Sequence, residues 1–396
     1  MDQLFNLHRR TFLKSSGLLG AGLVLGTPTL WAQDKAKEEA PSRPQTNIAE
    51  VLNVPRRETS LPGKFPGKVV QVRDDQALVG DTFNARVIED MFTKGIQKLT
   101  GKNLSQSFDL FFTKKDVVGI KVNPVGAGLI STRLELVDAI INWLVNNGLP
   151  KDQIIIWDRF DYMLTEAGFT AKRFPGVGIA GLQTMDEAAA EGRSDDDSKW
   201  LDKDGRHISF HNFDQDLYYW ADVEAPPDKP YLNQHVVNGK YSYFGKLLTQ
   251  KLTKIINVPV FKNTGNGISM ATKNIGYAAI CNTGRLHRPL FFDVCTEVLA
   301  FPVIRDKLVL NINDGLRGQY DGGPGPNAAF TYTYNTLFFA TDPFALDMIG
   351  HQLLLEKRKE MEVKVNEHPR FTEYLRYAQR LGLGLTGADK MEWVKV

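Results

Sequence analysis

Two lysines stand at the ends of short apolar runs and a third ends the polar loop that follows one of them. Lys121 closes Val118-Gly-Ile-Lys-Val-Asn123, Lys262 follows Ile255-Ile-Asn-Val-Pro-Val-Phe261, and Lys273 lies in Thr272-Lys-Asn-Ile-Gly276. Ammonium groups at such places supply full charges that hold anions, and the aspartates below hold metal or move protons. Asp158 follows Gln153-Ile-Ile-Ile-Trp157, Asp314 follows Leu310-Asn-Ile-Asn313, and Asp342 follows Thr341. Carboxylates are hard oxygen donors suited to magnesium or calcium. Asn123 and Asn274 add amides, and the turn Gly126-Ala127-Gly128 offers backbone N–H groups to an anion. The expected site therefore has Lys121, Lys262, Lys273 and Asp158 as catalytic groups. Asn123, Gly126, Gly128, Asn274 and Asp314 bind the ligand in this reading, and Asp314 and Asp342 hold a divalent metal.

Plainer readings accompany these. Asp342 before Pro343 is a good helix cap. Gly126-Ala127-Gly128 lacks the third glycine of a dinucleotide fingerprint and reads first as a tight turn. A strand-end lysine is commonly a solvated charge, and the glycine-rich stretch from Asp314 to Gly325 reads as a loop. Other constellations carry less. His207 and His211 lie four apart without an acidic partner at metalloprotease spacing. Gly267-Ile-Ser-Met-Ala271 imitates a nucleophile elbow, but the preceding strand ends too early. His287, between Arg285 and Arg288, reads as a surface histidine.

The elements that must position these groups alternate. Lys68–Val72 reads as a strand and Phe83–Leu99 as a helix. Val117–Val122 and Gln153–Trp157 read as buried strands. Between them Leu134, Val137, Ile141 and Leu144 repeat at helical spacing, with Thr132 and Glu135 as a capping box and Gly148-x-Pro150 as the stop. Strand, helix, strand is a βαβ crossover, which makes a parallel pair covered on its faces. Lys254–Phe261, Lys307–Ile312 and Thr336–Ala340 read as further strands. Leu290–Ala300, a helix opened by Asp342-Pro343, and Phe371–Leu381 read as helices, and Glu392–Val396 as a closing strand. Residues 185–245, with Asp195–Asp197, many aromatics and Pro226-Pro227, read as an inserted aromatic and acidic subdomain. The expected fold is α/β: a mostly parallel sheet flanked by helices. Ligands of such sheets bind beyond the carboxyl ends of the strands, where the polar residues above collect.

Composition narrows the function. Of 396 residues 42% are hydrophobic and 24% charged, which excludes wholesale disorder. No apolar run reaches the length of a membrane-spanning helix. Without residues 1–32 the chain has 45 basic and 45 acidic residues, so charge offers no case for nucleic acid. Cys281 and Cys295 are the whole thiol inventory. A four-cysteine iron–sulfur cluster borne by this chain is not expected; one disulfide and two buried thiols both remain open.

The start, His8-Arg-Arg-Thr-Phe-Leu-Lys14, resembles a twin-arginine signal, followed by a glycine-rich apolar stretch from Gly17 to Gly26. Residues 1–32 are expected to be a signal peptide read by the twin-arginine translocation machinery, 33–60 a flexible tether, and 61–396 a periplasmic α/β domain.

The segments Val118–Asn123, Ile255–Lys262, Thr272–Gly276, Leu310–Gly315, Thr341–Asp347 and Leu381–Gly384 together resemble the family called domain of unknown function 362, in that family's order. The resemblance implies that Lys121, Lys262, Lys273, Asn274, Asp314 and Asp342 fall on motif positions. It implies no reaction. Many relatives carry a ferredoxin-like cysteine module, which points to a redox partner; this chain has two cysteines, and Asn263 where the resemblance leads one to expect a histidine. The expected function is an enzyme acting on a small anionic substrate at a strand-end cleft, with a divalent metal or redox partner. The alternative is a non-catalytic periplasmic ligand-binding or redox-complex assembly protein. Replacing both Arg9 and Arg10 by lysine is expected to keep the protein in the cytoplasm; cell fractionation checks this, and undiminished export would end the twin-arginine reading.

Overall fold

The structure, a computed structural model, describes residues 43–183, 211–224, 239–265, 267–287, 290–365 and 368–396. The signal peptide, the acidic run Asp195–Asp197, His207 and Pro226-Pro227 lie outside the described residues.

Runs of β-branched and other apolar residues make the strands, and burial on both faces selects parallel pairing. The strands are β1 (Lys68–Arg73), β2 (Leu78–Val79), β3 (Thr82–Phe83), β4 (Val118–Val122), β5 (Ile154–Phe160), β6 (Gly178–Gln183), β7 (Phe213–Trp220), β8 (Tyr241–Gly245), β9 (Lys254–Val258), β10 (Val260–Thr264), β11 (Gly267–Ile268), β12 (Leu308–Gln319), β13 (Thr331–Ala340) and β14 (Glu392–Lys395). A ten-stranded sheet runs in the order β14-β1-β13-β12-β9-β4-β5-β6, with β10 attached to β12 and β11 to β10. From β12 through β9, β4 and β5 to β6 every pairing is parallel. Beyond β12, β13 is antiparallel to both β12 and β1, and β14 is parallel to β1.

Helices α1 (Ala85–Thr100), α2 (Leu104–Phe111) and α3 (Leu134–Asn146) cover one face. There Ile88, Phe92, Val137 and Ile140 pack on Ile120, Ile156, Ile256 and Ile312. Helices α4 (Ala271–Gly276), α5 (Asp293–Ala300), α6 (Pro343–Glu360) and α7 (Arg370–Arg380) cover the other. Ile275, Val294, Phe344 and Tyr374 cluster there with Trp157 and Ile255. Among the described residues no helix is long and apolar enough to cross a membrane.

Several expectations change. The strand expected over Lys254–Phe261 is two, because Pro259 has no N–H to give a ladder; the Pro259 carbonyl accepts from the Asp314 N–H at 2.8 Å instead. This break lets β10 leave β9 and pair with the far half of β12. The loop expected from Asp314 is strand as far as Gln319. Its glycines allow the approach: a Cβ on Gly315 would lie 2.8 Å from the Thr336 carbonyl oxygen, and one on Gly318 2.5 Å from that of Phe261. Thr132 does not cap α3. Its hydroxyl donates to the Val258 carbonyl at 2.8 Å and accepts from the Asn123 N–H at 2.8 Å. Residues 43–60 do not dangle. Arg56 donates to the Leu381 and Gly382 carbonyls at 2.7 Å each, capping the end of α7, and the Ser60 hydroxyl meets Asp306 at 2.5 Å. Within the expected insertion, β7 and β8 pair antiparallel and are held to the core by buried Phe213, Tyr219 and Phe244.

Asp342 caps α6. Its carboxylate accepts from the backbone N–H groups of Phe344 and Ala345 at 3.0 Å, Gly67 at 3.2 Å and Leu385 at 2.7 Å. It thereby ties together the approach to β1, the start of α6 and the segment before β14. Asp342→Ala leaves four N–H groups without their acceptor and is expected to cost about 2–4 kcal/mol. A lowered urea midpoint at unchanged m-value reads this; an unmoved midpoint would refute the role.

Candidate functional site

The carboxyl ends of β4, β5 and β9 and the start of β10 meet over one buried ammonium. Lys121, at 1% exposure, points from β4 away from Ile120 and Val122. Its three donors have three acceptors: Asp158 Oδ1 at 2.5 Å, the Val122 carbonyl at 2.6 Å and Asn274 Oδ1 at 3.0 Å. The charge also lies 5.6 Å from the centre of the Trp157 ring. Burial lowers the affinity of this amine for its proton and Asp158 opposes that. With every N–H placed, Lys121 is a saturated ammonium.

The ammonium sets the direction of an amide chain, because it can only donate. Asn274 Oδ1 accepts from Lys121 and from Asn123 Nδ2 at 3.1 Å, so Asn274 Nδ2 turns to Asn257 Oδ1 at 2.8 Å. Asn257 Nδ2 in turn donates to Asn311 Oδ1 and to the Ala271 carbonyl, each at 2.9 Å. Helix α4 carries Asn274, and Asp347 of α6 fixes its start by accepting from the N–H groups of Ala271 and Thr272 at 2.7 and 3.0 Å and from the Thr272 hydroxyl at 2.5 Å. Burial pushes the Asp347 carboxyl up to about 7, against those bonds.

Lys262 differs from Lys121. It is 1% exposed, yet among the described residues it has no carboxylate within ion-pair distance. Its nitrogen meets Asn123 Oδ1 at 3.1 Å and the Val125 carbonyl at 3.5 Å, both neutral. Burial brings it down to about 7; the Lys273 and Lys121 charges add to this, and Asp158 opposes it. Lys273 is a third case. Half-buried on α4, its nitrogen stands 5.3 Å from the Phe291 ring centre and 5.6 Å from that of Tyr277. No described residue offers it a hydrogen-bond acceptor. Burial lowers it as well. His287 lies tilted against the same two rings, with centroids 4.7 Å from Tyr277 and 5.5 Å from Phe291. It keeps an exposed edge, as expected of a surface histidine, and loss of water and then the Lys273 charge hold it below the ordinary imidazole range. Arg159, bonded to Gln183 and Thr283, adds a further cation.

The expected residues therefore divide. Lys121, Asp158, Asn123, Asn274 and Lys262 are joined by direct contacts, and Lys273 adjoins them. Gly126 and Gly128, at φ of +87° and +80°, form a turn beside Val125. A Cβ on Gly126 would strike Ile130 at 2.6 Å and Pro326 at 3.2 Å, so only glycine lets the loops close here. Asp314 works elsewhere: it accepts from the Arg133 N–H at the start of α3 at 2.7 Å and from the Leu316 N–H at 3.1 Å. Asp342 is the α6 cap already described. Burial pushes both carboxyls up to about 6, against the pull of those N–H groups. Oxygens so engaged with N–H groups make poor metal ligands, and among the described residues no three His, Cys, Asp or Glu side chains gather to hold a metal. Cys281 and Cys295 are free and buried. Sequence reasoning passed over Asn257, Asn311 and Asp347. The signal was an asparagine inside an apolar strand, in Ile255-Ile-Asn-Val258 and Leu310-Asn-Ile312, where a polar residue needs a buried partner.

Residues 231–352 match the family described as Domain of unknown function (DUF362). That stretch, less than half of the chain, includes Lys262, Lys273, Asn274, Asp314 and Asp342 but neither Lys121 nor Asp158. No curated protein matches the chain. A crystal structure of a protein from Thermotoga maritima aligns at TM-score 0.34 and 10% identity, over 72% of this chain and 60% of that one. This chain thus spans less than two thirds of that protein's length, and a likeness at that score carries no argument.

The state of Lys262 has a sign that can be measured. The unfolded chain holds this proton up to about pH 10.4, while the fold releases it at about 7. Between those values the unfolded state binds more protons, so Lys262 makes stability rise with pH by up to roughly 1 kcal/mol per unit. Urea midpoints across this range are expected to climb in the wild type and to flatten in Lys262→Met. Equal slopes would refute the assignment.

Proposed function

We propose that this chain is an exported α/β protein that takes a small anion at the carboxyl ends of β4, β5 and β10, with Lys273 as the anchoring charge and Lys262 as the group that gains and loses a proton. One observation carries the reading: three basic side chains, Lys121, Lys262 and Arg159, stand near one carboxylate, Asp158, which pairs directly with Lys121, while Lys273 on the adjoining helix has no hydrogen-bond acceptor among the described residues. Lys262 feels the Lys273 charge, which an anion held by Lys273 would offset. A proton donor near 7 suits acid–base work at neutral pH. The twin-arginine start supports a periplasmic location. The Asp314 and Asp342 carboxylates are engaged by backbone N–H groups.

Small carboxylates and inorganic phosphate are expected to raise the melting temperature of the wild type. In Lys273→Gln the affinity of the best of them is expected to fall about tenfold, or about 1.4 kcal/mol. Native mass spectra of protein recovered from the periplasm check for the same anion, lost on denaturation. The reading fails if none of these anions shifts the melting temperature. Binding without turnover of any bound compound would favour a non-catalytic ligand-binding role.

A further inference from the structure

We infer that Lys262 is a nucleophile that condenses with the carbonyl carbon of a small 2-oxo acid, forming an imine. The inference rests on the anion site proposed above and adds the substrate class and the covalent step.

The contrast between two buried lysines carries it. Lys121 has three acceptors for three N–H bonds, one of them the Asp158 carboxylate. Lys262 has two acceptors, both neutral, Asn123 Oδ1 and the Val125 carbonyl. Two acceptors suit an amine, which has two N–H bonds, and leave its lone pair free; an ammonium here would carry a third N–H with no described partner. A desolvated lysine beside other cations is the arrangement that keeps an amine nucleophilic. Those cations have a second use. Lys121 has no donor to spare, while Lys273 has three without a described acceptor, so Lys273 takes the carboxylate. Lys262 is joined through Asn123 to Asn274, the residue after Lys273, so a carboxylate held by Lys273 brings an adjacent carbonyl toward Lys262, as a small 2-oxo acid does.

The step balances. The nitrogen lone pair forms the C–N bond while the carbonyl π pair moves to oxygen, and one proton passes from nitrogen to that oxygen. A proton from solvent then lets the hydroxyl leave as water with the C–O pair. The product is an iminium whose positive charge draws electrons from the neighbouring carbon.

The test uses the full chain, pyruvate as the carbonyl probe, lactate as its non-carbonyl analogue and sodium cyanoborohydride, which delivers hydride to an iminium carbon. One reduced adduct per chain is expected, located at Lys262 by peptide mapping. Its yield should fall at least about tenfold in Lys262→Arg and under excess lactate. If that variant does not fold, the peptide map and lactate competition on the wild type still decide. Melting shifts with both acids but no adduct would overturn the nucleophile and leave the anion site standing. No shift and no adduct would overturn both. Adducts spread over surface lysines and indifferent to lactate would also overturn the inference.

Discussion

A charged amine taken out of water at the end of a parallel sheet must be given partners, or it costs several kcal/mol. Lys121 is that amine, and the surrounding structure answers it. Asp158 arrives from β5, the Val122 carbonyl from its own strand, and Asn274 from a helix packed across the sheet. Asn274 can serve only if α4 starts where it does, which Asp347 of α6 secures. Its amide must then be turned outward, which Asn257 and Asn311 accommodate. Strands β4, β5, β9 and β12 and helices α4 and α6 are thus tied through one polar chain. A chain of this kind rigidifies a core when every member is satisfied.

Lys262 acquires its character from what that chain has already used. Asp158 is engaged by Lys121, and Asn123 has turned its nitrogen to Asn274, so it presents its oxygen to Lys262. Two lysines of equal burial therefore have different surroundings, because one stands beside the carboxylate and the other has only neutral acceptors. Three other buried carboxylates serve architecture. Asp314 starts α3, Asp342 starts α6 and Asp347 starts α4, each by accepting backbone N–H groups at a helix N-terminus, where a negative charge is favoured.

Much of the frame was legible. The apolar runs at Val118 and Ile154 and the helical stripe from Leu134 to Leu144 announce a βαβ crossover because burial on two faces and on one face leave different periods. The Asp342-Pro343 cap was legible for a local reason: proline at the first helical position and an acceptor before it need only neighbours in sequence. The extension of β12 was not, since Gly315 and Gly318 look like loop residues until Thr336 and Phe261 press against them. Nor was the cap of α3. Thr132 and Glu135 fit the local rule, but a carboxylate 181 positions away holds the Arg133 N–H.

The sequence by itself determined the alternation of strands and helices, the parallel core and the collection of lysines, asparagines and aspartates at strand ends, because these follow from side-chain period and local stereochemistry. Only the tertiary structure decided which lysine received the carboxylate. Spacing cannot show that Asp158 reaches Lys121 rather than Lys262, or that Asp314 turns to a helix start rather than to a ligand. Protonation and ligand-binding capacity depend on partners that the fold brings together from separate strands and helices, and on how many of their bonding positions other groups have already filled.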